Sequence, residues 1–364
     1  MKSQHLALAG LLAASMACSG APDPSTANDG GIDVAPAEAR TFDYVVSALG
    51  IEDSNELWDR GVSGFNVDGR FSTHRSRQLL DCDRVDSVSP LDSDQNMGSC
   101  VTGMPGGGAG CLGGVDNQLP ELTYTIISLR SNTDPREQLQ RRIARGTLAV
   151  LVRVEGVNGE PSPTLYDDHV TVTVYPFARP MNGRCFVAGQ PGQRFQIDSE
   201  SLVSDGSRPR YRFEGSIVRG RLRVSDTDYT RPGLILSIPL DDTVSLSFRL
   251  YGFQFRANLG ILGATGGNLG GFVLYPEFAQ TLLDTPGAVS REVLPSTVRS
   301  LLRGFADIAT DAENRPGVGG CAGPDRGGLG IGMAFTLTAV VIDPTVARDG
   351  PVVDCDAGVG GDGG

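Results

Sequence analysis

Between Tyr211 and Tyr275 apolar and polar residues alternate for most of the way. The segment reads YRFEGSIVRGRLRV, then LILSIPL, then TVSLSFRLYGFQFR, then a glycine-rich stretch and GFVLY. Val244, Leu246, Phe248 and Leu250 fall on one side of a period of two, and Ser245, Ser247 and Arg249 on the other. That is the mark of a half-buried strand. After Tyr251-Gly252 the parity flips, and Phe253 and Phe255 carry the apolar side. A slip of one residue would turn the core side outward, so the pattern predicts a bulge at Gly252, where glycine is a usual occupant. The centre of the chain is thus expected to be an antiparallel sheet with one wet face.

Flanking segments extend the picture. Residues 147–154 (TLAVLVRV) and 169–177 (HVTVTVYPF) predict two strands joined by a loop over 156–163, with Pro176 at an edge or at the strand's end. A last strand is predicted over 330–342, with Met333, Phe335, Leu337, Ala339 and Val341 on its inner side. Asp134 as cap, Pro135 in first position and Glu137 three residues after the cap predict a helix over 135–145. Its apolar stripe is Leu139 and Ile143, and Gly146 ends it. A second helix is predicted near Pro276, carrying Phe278 and Leu282. A third is predicted over 297–305, capped by Ser296, with Val298, Leu301, Leu302 and Phe305 on one face. In 42–50 and 122–129 the pattern does not separate strand from helix. Residues 261–271 (ILGATGGNLGG) read as a glycine-rich turn, 181–207 as mixed and turn-rich, and Trp58 as a core anchor. The fold class is therefore mainly β: an antiparallel sandwich or half-open barrel with a few short helices. A loop-rich, acidic, cysteine-bearing region over 42–122 precedes a body over 123–342, and a Gly/Asp-rich tail occupies 343–364.

The first residues add an address. Lys2, the short apolar run Leu6–Ala14 and the small-x-small site Ser15-Met16-Ala17 read as a signal peptide over 1–17. Cys18 follows, and the arrangement resembles a bacterial lipoprotein signal, in which that cysteine is acylated; Ser15 stands where the pattern usually has Leu. Residues 18–41 would then be a flexible tether, and the membrane a partner through the acyl anchor. The expected location is the outer membrane or periplasm, with plain secretion as the alternative. Ser19 lacks the Asp that retains some lipoproteins at the inner membrane. Besides Cys18 there are Cys82, Cys100, Cys111, Cys185, Cys321 and Cys355, candidates for disulfides in an oxidising compartment. Three of them lie between Cys82 and Cys111, so full pairing sends at least one bridge to Cys185, Cys321 or Cys355. The sequence does not choose the connectivity.

Composition removes several chemistries. Lys2 is the only lysine, which excludes a catalytic or Schiff-base lysine and a P-loop lysine from the mature chain. A net charge of -12 argues against nucleic acid as a partner. It suits a solvated surface or cation binding: Asp81, Asp83, Asp92, Asp94, Asn96 and Asp116 read first as a solvated acidic loop, and alternatively as a set that could hold calcium, which takes six to eight oxygen ligands. DSDQN (92–96) has the first three alternate positions of an EF-hand-like loop but lacks its closing Glu. GAGCLG (108–113) satisfies GxGxxG without a preceding strand and carries no nucleotide reading. His169, after Asp167-Asp168, reads as a polar residue at a strand start. No GxSxG accompanies it.

At GFNVDG (64–69) and GVDNQL (114–119) the chain resembles a group of exported lipoprotein-like proteins of myxobacteria and related bacteria. The resemblance implies export and a β-rich body, and brings no catalytic residue. Together these readings predict a lipid-anchored envelope protein with a binding or structural role, its ligand a glycan or another partner. Tyr166, Tyr175 and Tyr251 are the aromatics available to a glycan. The alternatives are a carrier of an apolar ligand inside the β body and an exported hydrolase using paired carboxylates.

Overall fold

The structure, a computed structural model, describes residues 39–51, 65, 67, 87–88, 114–115, 117–130, 134–181, 185–306, 308, 310–311, 313–316 and 327–347. All of these fall within one unit of the chain, Glu38–Gly364. The elements run β1 (Arg40–Gly50), β2 (Ser87–Val88), β3 (Gly114–Val115), α1 (Leu119–Arg130), α2 (Pro135–Ala144), β4 (Ala149–Val157), β5 (Asp167–Pro180) and β6 (Gln193–Ile197). After them come β7 (Tyr211–Val218), β8 (Arg221–Ser225), β9 (Leu234–Pro239), β10 (Ser245–Leu259), β11 (Gly263–Leu274), α3 (Tyr275–Asp284), α4 (Pro295–Arg303) and β12 (Gly328–Val346).

The fold is mainly β and antiparallel, and its centre is a closed eight-stranded barrel. The ring runs β1-β4-β5-β7-β8-β10-β11-β12 and returns to β1. Closure depends on β1, which pairs with β12 on one edge and β4 on the other. The expected boundary at residue 42 therefore cuts through a barrel strand. Phe213 of β7 lies 4.8 Å from Phe253 of β10, and Phe255 of β10 stacks on Phe335 of β12 at 4.7 Å. Those strands are not neighbours in the ring, so the rings meet inside the barrel and fill it. Tyr44 spans the interior from β1, its hydroxyl donating to the Gly260 carbonyl at 3.2 Å. Burial first, and the Asp43 charge second, raise its pKa well above the usual phenol range, so it stays a donor.

Two devices shape the strands. At Gly252 (φ +58°) the pairing of β10 with β11 shifts between Tyr251 and Gln254, the bulge that the parity flip predicts. Before it β10 carries β9; after it, β8. The second device is β6, which pairs parallel with the end of β12 and antiparallel with the end of β5. It bridges the two where they run past β11 and β7. The burial of β12 changes over the same stretch: Val341 is exposed, against expectation, while Val340 and Ile342 are buried, where the strand has left β11 and β1 and takes β6 as its partner. β12 runs on to Val346, three residues past the expected start of the tail at 343.

The largest correction concerns the stretch 261–271: only Ile261 and Leu262 lie in a turn, and residues 263–271 form most of β11. Glycine is there for room. A Cβ on Gly267 would lie 2.3 Å from the Phe335 ring, and one on Gly270 2.8 Å from the Phe65 ring. β6, inside the stretch expected to be turn-rich, was likewise hidden. Residues 42–50 prove to be strand and 122–129 helix. Pro176 sits within β5, beside a register irregularity against β4, one of the places where a strand tolerates proline.

Helix α2 forms as its caps predict: Asp134 accepts from the Arg136 N–H at 2.9 Å, and Leu139 and Ile143 are buried. Arg142, near its end, donates to the carbonyls of Asp241 and Asp242, both at 2.8 Å, and so ties the helix to the β9–β10 turn. Helix α4 starts earlier than expected. Leu294 is its N-cap and Pro295 takes the first position, which leaves Ser296 inside the first turn. Among the described residues no helix is long and apolar enough to cross a membrane.

A recurrent turn uses aspartate followed two residues on by Ser or Thr. Asp205, Asp228 and Asp343 each accept from that residue's N–H (2.9, 3.2 and 2.9 Å) and its hydroxyl (2.6, 2.6 and 2.5 Å). The hydroxyls of Ser207, Thr230 and Thr345 hold these carboxyls below the usual range. A depressed carboxyl stabilises the fold above its unfolded pKa, near 4, and loses that contribution as pH falls through the folded value. The urea midpoint should therefore stay level from pH 7 to about 5 and fall below about 4. A Thr230→Val/Thr345→Val chain should be less stable at pH 7 and lose less of its midpoint on acidification. An unchanged acid limb would refute this account.

Candidate functional site

The wet half of the β alternation converges on the outer wall of the barrel. Neighbouring strands β5, β7, β8 and β10 present Asp168 and His169, Glu214 and Ser216, Arg223 and Ser225, and Gln254 and Arg256. Together they line an open cleft of about 380 Å3. Gly215 lies on the cleft wall between Val170 and Val224 in the ladder, and a side chain there would meet the Arg223 carbonyl at 2.9 Å. Phe65 forms one wall. Its ring packs under the Arg256 guanidinium at 4.6 Å, and Arg256 is almost wholly buried. A cation on an aromatic face is held in place by stacking as well as by charge. At the mouth, His169 Nε2 and Glu214 Oε2 are 3.4 Å apart, both well exposed. Asp167, just behind them and buried, accepts from the N–H groups of Asn158 and His169 at 2.8 and 3.1 Å and fixes the start of β5.

The cleft thus offers carboxylates, an imidazole, hydroxyls, an amide and guanidiniums on a rigid wall. A mix of donors and acceptors at fixed positions suits a small polyhydroxylated or zwitterionic ligand. A larger cavity, about 500 Å3, lies between β10 and α3 and includes Ser247, Arg249, Glu277 and Asp284. Its Glu277 is already engaged: Tyr251 donates to both carboxylate oxygens at 3.1 Å. Burial foremost, then the Glu277 charge, pushes that phenol's pKa up. A small pocket of about 140 Å3 holds the Arg179–Asp198 ion pair. There burial alone would raise Asp198, and Arg179, with the Glu200 N–H and the Ser199 hydroxyl, outweighs it and holds the carboxyl low.

Of the residues singled out from sequence, His169 is in the cleft. Tyr166 is exposed, whereas Tyr175 and Tyr251 are buried, so these three make no aromatic face for a glycan. Asp81, Asp83, Asp92, Asp94, Asn96 and Asp116 lie outside the described residues, as do Trp58, Cys18, Cys82, Cys100, Cys111, Cys321 and Cys355. Cys185 is described and exposed, and its sulfur is not a free thiol. Among the described residues no three His, Cys, Asp or Glu side chains are grouped to hold a metal. Glu214, Arg223, Gln254 and Arg256 were missed. Their signal was present as the polar partners of the alternation, but nothing local says that four such strands lie side by side.

The two motif segments have structural work. Phe65, from GFNVDG, joins Tyr251, Phe272, Leu274 and Ile308 in a second apolar cluster. Asn117, from GVDNQL, is buried. Its Nδ2 donates to the Gly332 carbonyl at 3.2 Å, and its Oδ1 accepts from the N–H groups of Gly332 and Leu119, both at 3.0 Å. With Gln118 donating to the Gly330 carbonyl at 2.7 Å, the segment covers the edge of β12 beyond the last residue paired with β1. No family model matches the chain, and comparisons with curated proteins and with solved structures found no match.

Proposed function

We propose that the protein is an exported envelope protein, anchored through an acylated Cys18 and stiffened by disulfides among its remaining cysteines, whose barrel wall binds a saccharide-like ligand. The observation that carries the ligand reading is the cleft: charged, amide and hydroxyl groups from four adjacent strands, converging on one open concavity beside a buried, ring-stacked arginine. The leader and Cys18 carry the address. Binding is favoured over a carrier role because the barrel interior is filled by side chains such as Phe253, Phe255 and Phe335. It is favoured over hydrolysis because a general acid needs a carboxyl withdrawn from water. Asp168 and Glu214 share the cleft but are both exposed.

The ligand reading is tested on a glycan array, followed by calorimetry with the best-bound sugar. Glu214→Ala and Arg223→Ala should each weaken binding about tenfold, the loss of one charged hydrogen bond. The exposed Glu214 variant should keep its urea midpoint. Binding that survives both changes would move the ligand elsewhere, and release of a cleaved sugar by wild type but not by Glu214→Gln would establish the hydrolase instead. Intact mass of the mature chain, with and without reductant and calcium, reports acylation, bridges and metal together.

A further inference from the structure

The barrel end at which β1 begins carries side chains that the cleft does not use. There the β10–β11 turn holds Ile261 and Leu262 outward, 58% and 70% exposed, and Tyr166, just before β5, is 58% exposed. They belong to one rim. Gly220, in the β7–β8 turn, donates to the Leu165 carbonyl and accepts from the Leu259 N–H, both at 2.9 Å. The Leu262 carbonyl accepts from Ala339 at 3.0 Å, and Gly260 is fixed by Tyr44. Arg219 Nε donates to the Tyr166 hydroxyl at 2.8 Å. Arg40, the first residue of β1, pairs at the same rim with Glu160 at 2.7 Å. The aliphatic pair is therefore presented by anchored backbone, beside a phenol held by a guanidinium. Bare aliphatics with a Tyr and an Arg alongside match the boundary between acyl chains and headgroups, where amphipathic side chains keep one end dry and the other wet.

We propose that this rim is the face the protein sets against a phospholipid surface, with Ile261 and Leu262 entering the acyl boundary and Tyr166 and Arg219 at headgroup level. The inference rests on the reading of Cys18 as the acylated anchor. The flexible tether that the sequence predicts after Cys18, about twenty residues before Arg40, would span roughly 25 Å. The Arg40 end is thus the end kept near the bilayer, and tethering gives a small patch a high effective concentration there.

The test uses the full acylated chain on phosphatidylethanolamine/phosphatidylglycerol vesicles with brominated acyl chains. Leu262→Trp places an indole on the rim. Leu294→Trp places one at a comparably exposed position, 66%, on the α3–α4 connection, which follows the opposite end of β11. The wild-type signal from the single native tryptophan, Trp58, is subtracted. The indole at 262 should shift to the blue and be quenched at least about twofold more than the one at 294. Equal quenching, or none at 262, overturns the proposal. A blue shift without lipid, with a doubled mass by light scattering, assigns the rim to a second copy of the chain and also overturns it. Absence of acyl mass on Cys18 sinks the anchor reading by itself, and the contrast between 262 and 294 with added vesicles still decides the rim.

Discussion

Asn117→Asp and Asn117→Ala are each expected to destabilise the protein by about 3 kcal/mol at pH 7, since a buried backbone group left without its partner costs roughly 1–3 kcal/mol. The two should part on acidification. In the Asp variant an ionised oxygen would replace the amide nitrogen that now donates to the Gly332 carbonyl at 3.2 Å. Burial and the facing carbonyl both disfavour that charge, so the new carboxyl's folded pKa is raised above its unfolded value. A raised carboxyl is least costly at low pH, where its protonated form can donate to Gly332, and the cost grows as pH rises through the folded value. Measured as urea midpoints against wild type at each pH, Asn117→Asp should recover toward pH 4 and Asn117→Ala should not. Parallel curves for the two variants would show that the amide does not bridge to β12.

Gly267→Ala is the second large effect, and its sign is opposite to the usual one. A glycine replaced by alanine where the backbone permits it commonly stabilises, because the unfolded chain loses freedom. At Gly267 the new methyl would sit 2.3–2.6 Å from three atoms of the Phe335 ring. That ring cannot retreat, being buried and stacked on Phe255 inside a closed barrel. A loss of about 2–3 kcal/mol is expected, as for other overpacked cores. Phe335→Leu alone should also cost stability, through the cavity it leaves. The double variant should be more stable than the sum of the two losses predicts, by about 1–2 kcal/mol, because each change relieves the other. Simple additivity in the denaturation cycle would mean that residue 267 and the ring do not compete for space.

The same glycines show why part of this fold was legible and part was not. Strands with alternating Val, Phe or Leu announce their period, and β5, β7, β10 and most of β12 were readable in outline, down to the bulge at Gly252. β11 carries the same strand geometry on residues that have no period to show, because its side-chain space is filled by Phe65 and Phe335 from elsewhere. Propensity reads such a stretch as turn; packing makes it strand. The cleft was half legible. Glu214, Ser216, Arg223 and Ser225 were visible as wet positions, yet nothing in their order in the chain places His169 beside Glu214 or Phe65 beneath Arg256. Asn117 was visible as part of the GVDNQL motif; it is a backbone mimic at a strand edge, a role set by where β1 stops.

By itself, the amino-acid sequence determined the local grammar: which segments are half-buried strands, where α2 is capped, where β10 must bulge, and which chemistries an almost lysine-free acidic chain cannot perform. These follow from side-chain period and backbone freedom, which act over a few residues. Only the tertiary structure decided that the sheet closes, that β1 is the strand that closes it, that β6 pairs in parallel with β12, and that the polar faces of four strands share one cleft. Those are long-range pairings, settled by which strand edges and which buried rings find each other across the whole chain.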